Sequence, residues 1–264
     1  MFDFGGTFKH PEKDLTVGIV GAGNVGTTLA CFLDYYQINY KLYDPPLKEK
    51  GDSRKMVGFN EVLKCDVITL HVPITNTGVH KTHHLFSKEN LQELTSEQLL
   101  INASRGSVIN NRALSHYLLE ENSASCILDT FENEPNINEL LVKHSLLATP
   151  HIAGHTLEGK LRGSWMVYKA FCKEFSLPCI EKEADLYPPN NKTDFLAPTL
   201  EENLLNIYDI ASDSDALKRL PTDRVNTEFD RLRKDATKLS NGCIRRDYTG
   251  WTILNNDTCY SLPS

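Results

Sequence analysis

Between Leu15 and about Ala153, short β-branched apolar runs alternate with segments whose apolar residues recur every three to four positions. That alternation is the pattern of a parallel sheet covered by helices on both faces. It predicts strands over 16–20, 40–43, 67–72, 99–103, 126–129 and 146–149, with helices over 25–36, 112–121, 138–144 and 157–175. The expected fold class is α/β, a doubly wound parallel sheet of the Rossmann type over 1–184, closed by the last of these helices.

From Asp185 to Pro198 the pattern breaks at Pro188, Pro189, Asn190, Asn191 and Pro198, which predicts a linker. Beyond it, helical spacing over 200–211 and 222–238 and a strand-like end over 248–254 predict a smaller C-terminal α+β unit, 185–264. A unit of that size seldom holds together without packing on something else, so association into a homodimer fits it, as does a plain structural appendage.

Composition narrows the partners. The 264 residues carry a formal charge of −7, which offers no clustered basic face for nucleic acid or an anionic membrane. No apolar run reaches the roughly 18 residues that span a bilayer, and Met1 to His10 lacks a secretory pattern, so a cytoplasmic location is expected. Seven cysteines without a C-x-x-C pair suggest neither a disulfide framework nor a zinc site, and several should pack as small apolar residues.

Gly21-Ala22-Gly23-Asn24-Val25-Gly26 is a G-x-G-x-x-G run, and its context gives it weight. It follows an apolar strand and opens a helix, and the next strand ends in Asp44. Such glycines let backbone approach a pyrophosphate, the helix N-terminus offers it free N–H groups, and the carboxylate can hold ribose hydroxyls. Asp44 would repel a 2′-phosphate, and Pro45, Pro46 and Leu47 follow it rather than an arginine, so NAD is favoured over NADP. A flavin or another nucleotide on the same fold is the competing reading.

Three residues fall at or beyond predicted strand ends, where this sheet type places its chemistry. Arg105, beside Gly106, could bind a carboxylate through two parallel hydrogen bonds. His151, after Thr149-Pro150, could exchange a proton with a substrate hydroxyl. Glu134 could bond to an imidazole and stabilise its protonated form. Taken alone, Arg105 reads as a surface ion-pair partner, His151 as a solvated histidine and Glu134 as an ordinary loop acid; the reading rests on all three together.

The order of the glycine run, Asn102-Ala103-Ser104-Arg105-Gly106, Asp129 with Glu134-Pro135, and Pro150-His151-Ile152-Ala153-Gly154 resembles the D-2-hydroxyacid dehydrogenases. Tyr43-Asp44-Pro45-Pro46 and the run from His151 to Lys160 are most similar to the 4-phosphoerythronate dehydrogenase branch. The resemblance implies NAD-dependent oxidation of a phosphorylated 2-hydroxy acid, 4-phospho-D-erythronate, on the way to pyridoxal phosphate. It also implies that Arg105, Glu134 and His151 are the catalytic set, that Asp44, Asp129 and Gly154 contact NAD, and that the C-terminal unit dimerises. His155 stands where that branch usually has a tyrosine that touches substrate. The branch also carries part of its substrate domain, on the order of 100 residues, ahead of the first Rossmann strand. Here only 14 residues precede Leu15, so this chain is expected to bind NAD and to turn over poorly. A phosphoglycerate or other D-2-hydroxyacid dehydrogenase, and a non-catalytic NAD-binding scaffold, remain as alternatives.

Three weaker signals complete the reading. His80, His83 and His84 crowd one loop with no acid or cysteine near them in sequence, so no metal site is expected. His71 ends a strand near where nicotinamide lies on this fold, although packing alone accounts for such a histidine. Lys160 and Arg162 open a helix and could reach a substrate phosphate or simply face solvent.

Overall fold

The computed structural model describes residues 15–186 and 209–238. Its described residues divide between two compact units, one built from the chain up to Pro150 together with Ala211–Asp230, the other from His151–Ile210 with the chain beyond Arg231.

The first unit is a six-stranded, all-parallel sheet. Its elements follow in the order β1 (Thr16–Val20), α1 (Asn24–Tyr35), β2 (Asn39–Tyr43), α2 (Pro45–Glu49), α3 (Phe59–Val62), β3 (Val67–Leu70), α4 (Lys88–Gln92), β4 (Leu99–Asn102), α5 (Asn111–Tyr117), β5 (Ser125–Leu128), α6 (Glu139–His144) and β6 (Leu147–Ala148). The strand order is β2-β1-β3-β4-β5-β6. The direction of travel reverses at β1, and the crevice beyond the carboxyl end of a strand at such a reversal is where α/β sheets bind ligands.

The central strands read as unbroken apolar text because both their faces are covered. Every residue of β3 is buried, and Ile19, Ile68, Leu70 and Leu100 are fully so. The face carrying α1 closes over Val17, Ile19, Ala30, Leu33, Leu42 and Met56.

All six expected strands are present, within two residues at each end. β3 stops at Leu70 rather than residue 72, since Pro73 has no N–H with which to continue a ladder. α5 ends at Tyr117 rather than residue 121, because the amides of Leu119 and Glu120 tighten onto carbonyls three residues back. The short helices α2, α3 and α4 were not anticipated, as four or five residues are too few to display a helical period.

The segment 211–230 joins the sheet unit instead of standing apart. Helix α8 (Ile210–Lys218) buries Ser214 and Leu217; the Ser214 Oγ accepts the Ala148 amide at 3.0 Å, and the Lys218 Nζ donates to the carbonyls of Ser145 and Leu146. Burial pushes the Lys218 ammonium pKa down, yet two carbonyls hold it in place. After it, α9 (Val225–Lys238) sets Phe229 edge-on to Phe131. Of the chain expected to form a separate unit from residue 185, 211–230 thus clusters with the sheet unit, and of the expected helix over 200–211 only the last residues fall in the described chain, where α8 begins at Ile210. Residues 200–208, the expected strand over 248–254, Cys243 and Cys259 lie outside the described residues.

The second unit holds α7 (Leu157–Glu174), whose N-terminus is capped by the Thr156 hydroxyl accepting the Gly159 amide at 3.0 Å. Cys65, Cys126 and Cys172 are buried thiols, as their expected role as small apolar residues requires; Cys179 is exposed. Burial raises the Cys126 thiol to about 12, which keeps it inert. Among the described residues no helix is long and apolar enough to cross a membrane.

Candidate functional site

The glycine run forms the turn from β1 into α1. Gly21 has φ +97°, and a Cβ there would sit 2.6 Å from the His71 carbonyl oxygen at the end of β3. At Gly26 a Cβ would come within 2.0 Å of the Gly21 oxygen, so only glycine permits α1 to start this close to the strand. Gly23 differs, since nothing lies within 4 Å of the position its Cβ would take. It is the N-cap of α1 and supplies no side-chain cap, and no acid stands in the first turn. Asn24 and Val25 are exposed beside it. An open cradle against an uncapped helix N-terminus suits a pyrophosphate.

Asp44 lies at the end of β2. Its Oδ2 accepts the Ala22 amide at 2.9 Å and its Oδ1 accepts the Leu47 amide at 3.0 Å, which caps α2 and pins the glycine turn. A carboxylate has about four acceptor positions, so two bonds leave capacity for ribose hydroxyls. The fit to a dinucleotide is thus good in backbone room, helix end and acceptor.

Sequence reasoning found no arginine beside Asp44, but the fold supplies one. Arg54 comes back along β2, where Met56 forms a bridge to Leu42. Its Nη2 donates to the Ala22 carbonyl at 2.9 Å and its Nη1 to the Thr27 hydroxyl at 2.7 Å. Asp52 grips the same guanidinium at 2.9 and 2.7 Å, and those hydrogen bonds lower the Asp52 carboxyl to about 2.

The second region lies beyond β4 and β5. Arg105 is exposed, and Gly106 beside it is pressed against another segment: a Cβ there would be 1.9 Å from the Phe131 carbonyl carbon. It is backbone that approaches Gly106, and it belongs to the loop that carries Glu134. The Glu134 Oε1 accepts the Phe131 amide at 2.8 Å. The Glu134–Pro135 peptide is cis, and Asn133 has φ +61°.

Two buried asparagines hold this arrangement. Asn102 accepts the Ser104 amide and hydroxyl on its Oδ1 and donates its Nδ2 to the Arg105 carbonyl. Asn111 donates to the carbonyls of Gly106 and Ile109, and its Oδ1 takes the Glu132 amide at 3.0 Å. Asp129 is buried at the end of β5 with the Thr149 hydroxyl 2.6 Å from its Oδ1.

His84, with φ +53°, donates its amide to the Ser107 carbonyl, and its Nε2 lies 2.6 Å from the Glu132 Oε1. The fold therefore provides the acid that sequence proximity did not. His83, His84 and Glu132 each offer one ligand atom, all within 4.8 Å of one another, whereas His80 pairs with Glu49. His71 is bonded to the Thr69 hydroxyl at 3.0 Å and its pKa is lowered by burial, which favours the packed reading of that residue.

Arg105, Glu134 and Asp129 belong to the first unit; His151, Gly154 and His155 belong to the second. His151 is half-buried with φ +55°, a left-handed conformation that is uncommon for a non-glycine residue. Gly154 is exposed with open space at its Cα. Nearby, the His155 Nε2 is 3.0 Å from the Lys160 Nζ, and Arg162 faces Glu183 at 3.7 Å. Asn102, Asn111, Arg54 and Glu132 were missed. Only Asn102 carried a signal, as a polar residue closing an otherwise apolar strand.

Known proteins add the family. Residues 6–153 match the model for "D-isomer specific 2-hydroxyacid dehydrogenase, NAD binding domain". The erythronate-4-phosphate dehydrogenase of Pseudoalteromonas atlantica is 40% identical over 90% of this chain and 63% of its own length. That of Tolumonas auensis is 38% identical over 97% of this chain and 69% of its own. The chain thus spans about two thirds of the length of these relatives. Among solved structures, the D-lactate dehydrogenase of Aquifex aeolicus, crystallised with NAD and lactic acid, superposes with a TM-score of 0.51. It is 30% identical, covering 62% of this chain and 55% of that one. The chain belongs to the D-isomer-specific 2-hydroxyacid dehydrogenase family, whose NAD-binding domain makes up more than half of it.

Proposed function

We propose that this chain is the cofactor-binding part of an NAD-dependent dehydrogenase that oxidises 4-phospho-D-erythronate to its 2-oxo acid, a step toward pyridoxal phosphate. The observation that carries the cofactor half is the turn itself, open at Gly23, uncapped at α1 and flanked by the Asp44 carboxylate. The substrate half is supported by the names of relatives 38–40% identical to this chain.

In this reading the amides at the start of α1 face the pyrophosphate and Asp44 takes the adenosine ribose hydroxyls. NAD, when bound, accepts the hydride from C2 of the substrate. The residues of the chain do the rest. Arg105 holds the substrate carboxylate through its guanidinium fork, which fixes C2 in position. His151 takes the hydroxyl proton as the alcohol is oxidised, and Glu134 favours the resulting imidazolium. His155 and Lys160, 3.0 Å apart, form a polar pair suited to the substrate's phosphate. Asp129 and Gly154 line the cofactor side, and the protein works as a homodimer in the cytoplasm.

Calorimetric titration of the purified chain with NAD tests the first half. Reduced nicotinamide on addition of 4-phospho-D-erythronate tests the second, with Arg105→Ala and His151→Gln expected to abolish turnover and leave NAD affinity within about threefold. Preference for 3-phosphoglycerate or D-lactate would replace the substrate and keep the reaction class. Absence of NAD binding would sink the reading.

A further inference from the structure

We infer that Asp52 sets the dinucleotide preference of this chain by locking Arg54 onto the glycine turn, so that its guanidinium is withheld from a 2′-phosphate. The inference rests on the NAD reading and deepens it, naming the pair that decides between two forms of the cofactor.

Asp44 and Arg54 both bond to the glycine turn, on the edge where the NAD reading puts the ribose. Ala22 lies between them, its amide given to Asp44 Oδ2 at 2.9 Å and its carbonyl taking Arg54 Nη2 at 2.9 Å. The guanidinium is therefore about one residue's backbone away from the carboxylate that meets the ribose diol. An arginine so placed is what an NADP-binding site uses to accommodate the extra phosphate. Here it is already committed. Arg54 has five N–H donors, and four of them are engaged: Nε and Nη2 on the two oxygens of Asp52, Nη2 again on Ala22, and Nη1 on Thr27.

The lock is local and cheap to form. Asp52 stands two residues before Arg54, and its Oδ1 also accepts the Arg54 amide at 3.0 Å, so the same carboxylate shapes the backbone turn and grips the side chain. Both side chains are partly covered, at 32% and 21% exposure, so solvent screens the pair less than it would on an open surface. The charge balance points the same way. Two carboxylates, Asp44 and Asp52, surround one guanidinium, leaving a net negative edge that accepts hydroxyl donors and repels a phosphate. Removing Asp52 would neutralise that edge and free two donors of a planar fork suited to phosphate oxygens.

A double-mutant cycle separates this device from a structural brace. NAD and NADP affinities would be measured by calorimetry on the wild-type chain, Asp52→Asn, Arg54→Ala and the double variant, each checked for folding by its thermal melt. We expect Asp52→Asn to narrow the NAD-over-NADP ratio about tenfold, chiefly through tighter NADP binding. Arg54→Ala alone should weaken both dinucleotides together, since Ala22 and Thr27 lose a donor, and shift their ratio less than about threefold. The double variant should return the ratio to the wild-type value. An unchanged ratio in Asp52→Asn, with NAD still bound, overturns the inference alone. So does a narrowing that survives in the double variant, which would be plain loss of negative charge. Wild-type chain that fails to bind NAD overturns the cofactor reading as well. If Asp52→Asn does not fold, Asp52→Ser carries the same comparison.

Discussion

The two regions at the carboxyl end of the sheet are built by opposite means. Around Gly21–Gly26 the chain makes its site by leaving side chains out: backbone meets backbone, and the cradle is open because Gly23 has nothing to fill it. Around Arg105 and Glu134 the chain makes its site by putting side chains in, with Asn102 satisfying the backbone of its own turn and Asn111 tying the carbonyls of Gly106 and Ile109 to the Glu132 amide, 21 positions away in sequence. The first kind of site fails by crowding. The second fails by leaving buried polar groups without partners, and the two failures differ in size and in what they spare.

The largest effect is expected within the glycine turn itself. Gly26→Ala forces a Cβ to within 2.0 Å of a backbone oxygen, which no side-chain rotation can relieve, and should cost about 3 kcal/mol in urea unfolding. Gly23→Ala meets no atom within 4 Å and should cost less than about 1 kcal/mol, yet it should weaken NAD binding at least tenfold, because its methyl enters the cradle. Equal stability losses for the two would break the distinction between a glycine that packs and a glycine that leaves room.

In the second region, Asn111→Ala strips partners from the Gly106 and Ile109 carbonyls and the Glu132 amide. A cost of about 2–3 kcal/mol is expected, with faster hydrogen exchange at the Glu132 amide as its local signature. Thr149→Val is nearly isosteric and removes one hydroxyl from the buried Asp129 carboxylate. It should cost about 1.5–2 kcal/mol, and a neutral outcome would show that Asp129 draws its stability from elsewhere.

This contrast also explains what the sequence could and could not disclose. The sheet was legible because its strands are covered on both faces and therefore contiguous apolar runs, and the glycine turn because its whole construction lies within six residues. Arg105, Glu134 and His151 stood out as residues of the right chemistry at strand ends. The supports did not. Asn111 reads as an ordinary helix-start residue until Gly106 and Glu132 are seen on either side of it, and Glu132 is 48 positions from the His84 it contacts. Arg54 was invisible for the same reason: α2 and the turn after it carry the chain away from Asp44 and back. Bonds between distant segments leave no period or spacing in the text. The packing of 211–230 on the sheet unit was not legible because Ser214 and Lys218 look like surface residues, whereas in the fold they meet the Ala148 amide in the last strand and the carbonyls of Ser145 and Leu146 just before it.

The smallest expected effect comes from His71, which joins the two kinds of construction: its carbonyl oxygen bounds the glycine turn and its imidazole is bonded to Thr69. Burial lowers its pKa from 6.5, because the charged imidazolium loses its hydration there. In the unfolded chain the group takes a proton near its ordinary value, so below that value the unfolded state binds more protons than the folded one. Stability from a neutral His71 is thus complete above about pH 6.5, declines as pH falls below it, and levels off once the folded pKa is passed. Urea midpoints of the wild type and His71→Asn, compared between about pH 8 and pH 5, isolate this contribution because the other histidines are common to both. The difference between the two proteins should shift in favour of the variant as pH falls. A difference that stays constant would mean that the imidazole is solvated when the glycine turn is formed, and that the turn is held by the His71 backbone alone.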